Sequence, residues 1–134
     1  MISHHAALIY TMVLVSASDS NMTDAEIDTM SDTIGHLPIF RDYDRNLLSS
    51  TAAACAEMLE DEDGLDKTLA LIKAALPAKL RETAYALACD VVASDKKASQ
   101  EELRMLEIIR HRLDIDRLAA AALERGAKAH FVRI

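Results

Sequence analysis

Ala17-Ser18-Asp19-Ser20-Asn21-Met22-Thr23-Asp24-Ala25-Glu26 reads as the close of one helix, a short turn and the capped start of the next. The same pattern returns 76 positions later (95 − 19) as Ala93-Ser94-Asp95-Lys96-Lys97-Ala98-Ser99-Gln100-Glu101-Glu102. Laid over each other, the copies share Val15/Val91, Ala17/Ala93, Ser18/Ser94, Asp19/Asp95 and Glu26/Glu102, then Leu37/Leu113 and Ile39/Ile115. Thr23/Ser99, Ile27/Leu103 and Met30/Leu106 are close substitutions. An echo of this length predicts two related helix-turn-helix hairpins around one core, with residues 8–37 superposing on 84–113.

Each copy carries Ser or Thr followed three residues later by Glu, the signature of a capping box. The hydroxyl accepts the backbone N–H at the third helical position, and the carboxylate reaches back to the cap. Upstream, Ala7, Leu8, Ile9, Met12, Val13 and Val15 leave the first helix, about Ser3 to Ser18, almost no polar face. A helix apolar all round belongs at the centre of the core. Downstream, Ile27, Met30 and Ile34 recur at helical spacing until Gly35 and Pro38 end the second helix.

Between the copies lie three more helical stretches. Asp44 is placed to cap a third helix from Arg45 to about Asp61, burying Leu47, Leu48, Ala54, Cys55, Met58 and Leu59. Gly64 breaks it, and Asp63 is placed to cap a fourth helix carrying Leu65, Leu69, Ile72 and Leu76. Pro77 suits the first turn of a fifth helix running to Ser94. After the second copy, a sixth helix carries Leu103, Leu106, Ile109 and Leu113. Asp114 or Asp116 opens a seventh through Leu118, Ala122 and Leu123, with Gly126 near its end. No stretch alternates long enough for a strand. The reading is an all-α chain of about seven helices, one domain over residues 1–134.

Composition agrees. With 134 residues, 51% hydrophobic, only three Gly and two Pro, the chain has few breaks and enough length for a core. The formal net charge of −7 and the absence of a basic stripe speak against nucleic acid as a partner. Cys55 and Cys89, each among alanines, read as buried thiols acting as small hydrophobes. The apolar run from Ala6 to Ala17 is shorter than the roughly 20 residues a bilayer span needs. It also lacks a basic leader, so the chain reads as cytoplasmic, without direct membrane insertion.

Three segments together resemble the TerB-like tellurite-resistance proteins, small all-helical bacterial domains. They are Ala7-Leu8-Ile9-Tyr10 through Val15-Ser16-Ala17-Ser18-Asp19 with Glu26; Leu76-Pro77-Ala78-Lys79-Leu80-Arg81-Glu82-Thr83-Ala84; and Asp90-Val91-Val92-Ala93-Ser94-Asp95 with Glu102. In order and spacing they cover nearly the whole chain. Where the family usually reads Ala-Asp-Gly at each turn, Ser20 and Lys96 occupy the glycine positions. The resemblance implies a non-enzymatic role in resistance to tellurite and other chemical stresses. It also implies protein partners in membrane-associated stress complexes, with the acidic turns as a cation site.

The residues themselves leave two readings of those turns. Asp19, Glu26, Asp95 and Glu102, joined by Asp90 one turn before Asp95, would make a hard oxygen site for Mg²⁺ or Ca²⁺ if the hairpins bring their turns together. Alternatively, Glu26 and Glu102 serve capping boxes and Asp19 and Asp95 close turns. An EF-hand is excluded: the glycine at the sixth position is missing and Met30 stands where its bidentate Glu would be. Lys97 adds a positive charge inside the second turn. A rival class, a metal-dependent hydrolase using Asp19 or Asp95, draws on the same residues. Glu60-Asp61-Glu62-Asp63 with Asp66 reads as a solvated acidic corner. His4, His5, His36, His111 and His130 have no metal-ligand spacing.

Overall fold

The apolar first helix is the hub of the structure. A computed structural model describes residues 1–18, 23–94 and 98–134. Among these are seven α-helices and no strand: α1 (His4–Ser16), α2 (Asp24–His36), α3 (Leu48–Leu59), α4 (Gly64–Ala75), α5 (Ala78–Ser94), α6 (Gln100–Arg112) and α7 (Arg117–His130). In α1 every residue from Ala7 to Ser16 is buried. It packs most closely against α5 and is also touched by α3, α4, α6 and α2. The second helix of the inner pair, α5, carries α6 and α7 on its other sides. The buried apolar side chains of α1 to α7 form one continuous cluster.

Burial on all sides leaves α1 with two polar side chains in the core. Thr11 donates its hydroxyl to the Ala7 carbonyl at 2.8 Å, within its own helix. Ser16, only 2% exposed, has no hydrogen-bond partner for its Oγ. An unpaired buried hydroxyl carries a desolvation cost of roughly 1–3 kcal/mol. Ser16→Ala is therefore expected to raise stability, by about 1 kcal/mol in urea unfolding. Loss of stability would mean that the hydroxyl has a partner in solution.

The internal repeat reappears in the helix ends. Both ends of α6 lie 76 positions after those of α2 (100 − 24 and 112 − 36). Thr23 and Ser99 are the caps, each accepting from the N–H of the Glu three residues on. Ser18 Oγ donates to the Val15 carbonyl at 2.7 Å, and Ser94 Oγ to that of Val91 at 2.8 Å. The registers part at the preceding helices, since α1 ends at Ser16 whereas α5 continues to Ser94.

Several boundaries differ from the sequence reading. The stretch before α3 is not α-helix but two short 3-10 turns, Pro38–Phe40 and Arg45–Leu47, and Asp44 caps the second of them through the Asn46 N–H. Leu47 consequently lies before the helix and is 50% exposed rather than buried. Ala54 of α3 is also exposed. Gly35 does not end α2; the helix runs one residue past it to His36, and extended Leu37 before Pro38 stops it. Asp63 precedes α4 without a side-chain cap bond. Gly64 does not merely break the chain but forms the first residue of α4, buried against the end of α3.

At the far end Asp116, not Asp114, caps α7, accepting from the N–H groups of Leu118 and Ala119. Asp114 instead closes α6. It has φ 55°, its N–H reaches the His111 carbonyl, and the Ile115 N–H reaches that of Arg110. This is a Schellman closure with Asp in the left-handed position glycine usually takes. Gly126 lies inside α7, where an added Cβ meets nothing within 4 Å. Glycine in an open helix interior only lowers helix propensity, so Gly126→Ala is expected to add about 0.5–1 kcal/mol, read as a higher urea midpoint at unchanged m-value.

Candidate functional site

The helices that follow the two acidic stretches, α2 and α6, both start at a side-chain cap, and the two caps are not equal. At α6 the box is complete: Glu102 N–H donates to Ser99 Oγ at 3.0 Å, and Ser99 N–H donates to Glu102 Oε1 at 3.0 Å. Glu102 is 2% exposed, so its carboxylate is a buried structural acceptor. At α2 Thr23 Oγ1 accepts the Glu26 N–H at 3.2 Å, but the Glu26 carboxylate takes the Thr23 hydroxyl, also at 3.2 Å, in place of a backbone N–H. Thr23 is exposed and Glu26 only partly covered.

Asp90 sits half-buried on α5, four residues before the helix end. Burial pushes its carboxyl above the ordinary range, with His130 pulling the other way. Asp19 and Asp95, the other two members of the expected set, lie outside the described residues. Among the described residues no group of three or more His, Cys, Asp or Glu is placed to hold a metal ion. Glu26, Asp90 and Glu102 thus do not make a ligand set on their own, and a cation there would depend on Asp19 and Asp95.

A second feature was not singled out in the sequence. The last turns of α5, the start of α6, the second half of α7 and residues 131–133 enclose a cleft of about 910 Å³. Its larger apolar side chains are Val92, Leu103, Phe131 and Val132, and four charged residues, Glu124, Arg125, Lys128 and Arg133, also line it. Cys89 borders it, itself 3% exposed and a free thiol. Burial, reinforced by the nearby Glu124 and Asp90 carboxylates, pushes that thiol up to about 12, and burial does the same for Cys55. Both thiols stay protonated at neutral pH, inert as nucleophiles and in keeping with their reading as core residues. Beside the cleft, the Tyr85 hydroxyl donates to Glu124 Oε2 at 2.5 Å, the short length of a bond to a charged acceptor. Burial and that bond hold the Tyr85 phenol well above its usual range.

A family model described as tellurite resistance protein TerB matches residues 5–125. The chain belongs to the TerB family. No curated protein matches it, and no solved structure does. The matched region takes in both capped turns and all but the last part of α7. The all-helical architecture agrees with that family. Among the described residues of this TerB chain, no helix is long and apolar enough to cross a membrane.

The acidic corner of the TerB chain is exposed from Glu60 to Asp63. Next to it, Asp66 accepts from Arg112 Nη1 at 2.5 Å, tying the start of α4 to the end of α6. Lys73 and Asp114 make a similar exposed tie at 2.9 Å. Pairs this exposed contribute little to stability. Of the histidines, His5 is the one with a structural role at the core's edge. Its Nε2 bonds the Ile39 carbonyl at 2.7 Å, and its ring lies against Phe40 and Tyr43. Adjacent His4 and His5 rings touch each other, but neither belongs to a cluster of metal-ligating side chains.

Proposed function

We propose that this TerB-family chain is a non-enzymatic module of the bacterial stress response, of the tellurite-resistance type, that binds a divalent cation at its paired acidic turns and docks to partner proteins in the cytoplasm. The observation that carries the reading is the family match across both turns, joined to the recurrence of Asp-x₆-Glu in each. The caps account for Glu26 and Glu102 but not for the aspartates. Asp19 and Asp95 stand four residues before Thr23 and Ser99, too early to cap those helices. Each follows a helix end, whose dipole disfavours a negative charge, and a bound cation would offset that repulsion. Mg²⁺ or Ca²⁺ fits an all-oxygen donor set of this kind.

Calorimetric titration with millimolar Mg²⁺, Ca²⁺, Mn²⁺ and Zn²⁺ tests the reading. A cation bound by the native state alone raises the melting temperature with concentration. Asp19→Asn combined with Asp95→Asn should abolish that dependence while raising the metal-free melting temperature, because like charges no longer repel. The absence of heat with all four ions would sink the cation role. It would leave the turns as a protein-docking surface.

A further inference from the structure

The cleft between α5, α6 and α7 is bordered by Ser94 and Ala98, either side of the second acidic stretch, and among its described residues cationic side chains outnumber carboxylates. The protein carries a net charge of −7, yet Arg125, Lys128 and Arg133 all border this one cleft. Among the described residues none of the three has a salt-bridge partner; the ion pairs found are Lys73–Asp114 and Arg112–Asp66. Among the described residues the one carboxylate on the cleft is Glu124, which accepts the Tyr85 hydroxyl and keeps its negative charge. Among the described residues the cleft thus carries three cationic side chains against one carboxylate.

The rest of the lining is largely apolar. Leu103 is 47% exposed and Val132 74% exposed, although both border a concavity where side chains of their size are normally covered. The volume of about 910 Å³ lies within the roughly 300–1,000 Å³ of small-molecule sites. Alanines at 93, 98, 121 and 127 leave the walls smooth, which suits a flexible chain better than a flat ring system. A largely apolar trough lined by an excess of cationic side chains suits a hydrocarbon chain ending in a negative charge.

We infer that the α5–α6–α7 cleft is a binding site for a single-chain anionic amphiphile, of the fatty-carboxylate class, its chain lying along Val92, Leu103 and Phe131 and its head held by Arg125, Lys128 and Arg133. The ligand is a free molecule, not a bilayer, because the three cationic residues line one concave cleft.

Titration of the full chain with laurate below its micelle concentration tests the site, alongside dodecyl maltoside and dodecyltrimethylammonium, which keep the chain but change the head. The expected result is one laurate per chain, bound at least about tenfold more tightly than either of the others. Arg125→Glu with Lys128→Glu should weaken laurate by about tenfold or more. Ala121→Trp, at an exposed helix position lining the cleft, should fill the trough and remove binding with the far-ultraviolet circular dichroism unchanged. If a variant does not fold, Arg133→Glu, beyond α7, replaces it and should weaken laurate in the same direction. No laurate binding, equal affinity for all three heads, or indifference to both the charge reversals and Ala121→Trp overturns the inference. Binding confined to anionic phospholipid vesicles, or to an acidic helical peptide, overturns it too.

Discussion

Gly64→Ala is expected to lower the melting temperature by about 10 °C, corresponding to roughly 3 kcal/mol in a domain of this size. Gly64 opens α4 directly beneath the end of α3. A Cβ built on it would overlap the Met58 carbonyl oxygen and stand 2.9 Å from the Leu59 Cα. Both obstacles are backbone, so no side chain can rotate away. The corner would have to open, drawing Thr68, Leu69 and Ile72 of α4 away from the core they now fill. The conformation itself is ordinary, since no glycine in the chain has positive φ. The requirement is for space and not for a left-handed backbone. Larger residues at 64 should therefore be worse than Ala, and thermal unfolding of Gly64→Ala and Gly64→Val would show that order. An Ala variant as stable as the parent would mean that α3 and α4 do not meet this closely in solution.

Glu102→Ala is expected to cost about 2–3 kcal/mol, and Glu26→Ala less than about 0.5 kcal/mol, although the two residues are repeat equivalents. The difference lies in burial and in the second bond of the box. Glu102 is 2% exposed and receives the Ser99 N–H, so its removal takes away both a buried side chain and the partner of a half-buried donor. Glu26 is only partly covered and receives a hydroxyl that water can satisfy instead. Glu102→Gln keeps an acceptor oxygen and should recover most of the lost stability. Any divalent-ion dependence, by contrast, should suffer from Glu102→Gln as much as from Glu102→Ala, since the amide has no charge. Urea unfolding of the three variants, with and without ion, separates the capping role from the cation role. Equal losses for Glu26→Ala and Glu102→Ala would show that the buried box is not the stabilising feature.

The helices were legible because few other forces compete with a 3.6-residue apolar period in a chain with so little Gly and Pro. The absence of a polar face on α1 marked it as central, and it is. Thr23 and Ser99 marked two helix starts, since a cap is a local device whose partners lie within four residues. The misread positions depend on backbone geometry at the corners between helices, which an apolar period does not encode. Whether Leu47 is buried turns on a 3-10 turn before α3, and Gly64 on how closely α3 approaches α4. Whether Asp114 or Asp116 caps α7 was decided by the Schellman closure of α6. The two capping boxes looked alike in sequence because burial of Glu102 comes from tertiary packing. The cleft was invisible for the same reason. Leu103, Arg125 and Phe131 come from separate segments, and only the packing of α6 and α7 on α5 places them together.

The position of α1 at the hub has a consequence for how the protein comes off the ribosome. Its closest packing partner, α5, begins at Ala78, 62 residues after α1 ends at Ser16 (78 − 16). At synthesis rates of about 5–20 residues per second, that gap is roughly 3–12 s. Throughout it, the most apolar segment of the chain exists without the surface that shields it. Helices α2, α3 and α4 emerge in the interval, and the last two offer it partial shelter. Codon choice ahead of α5 would thus set how long α1 waits for its main packing surface.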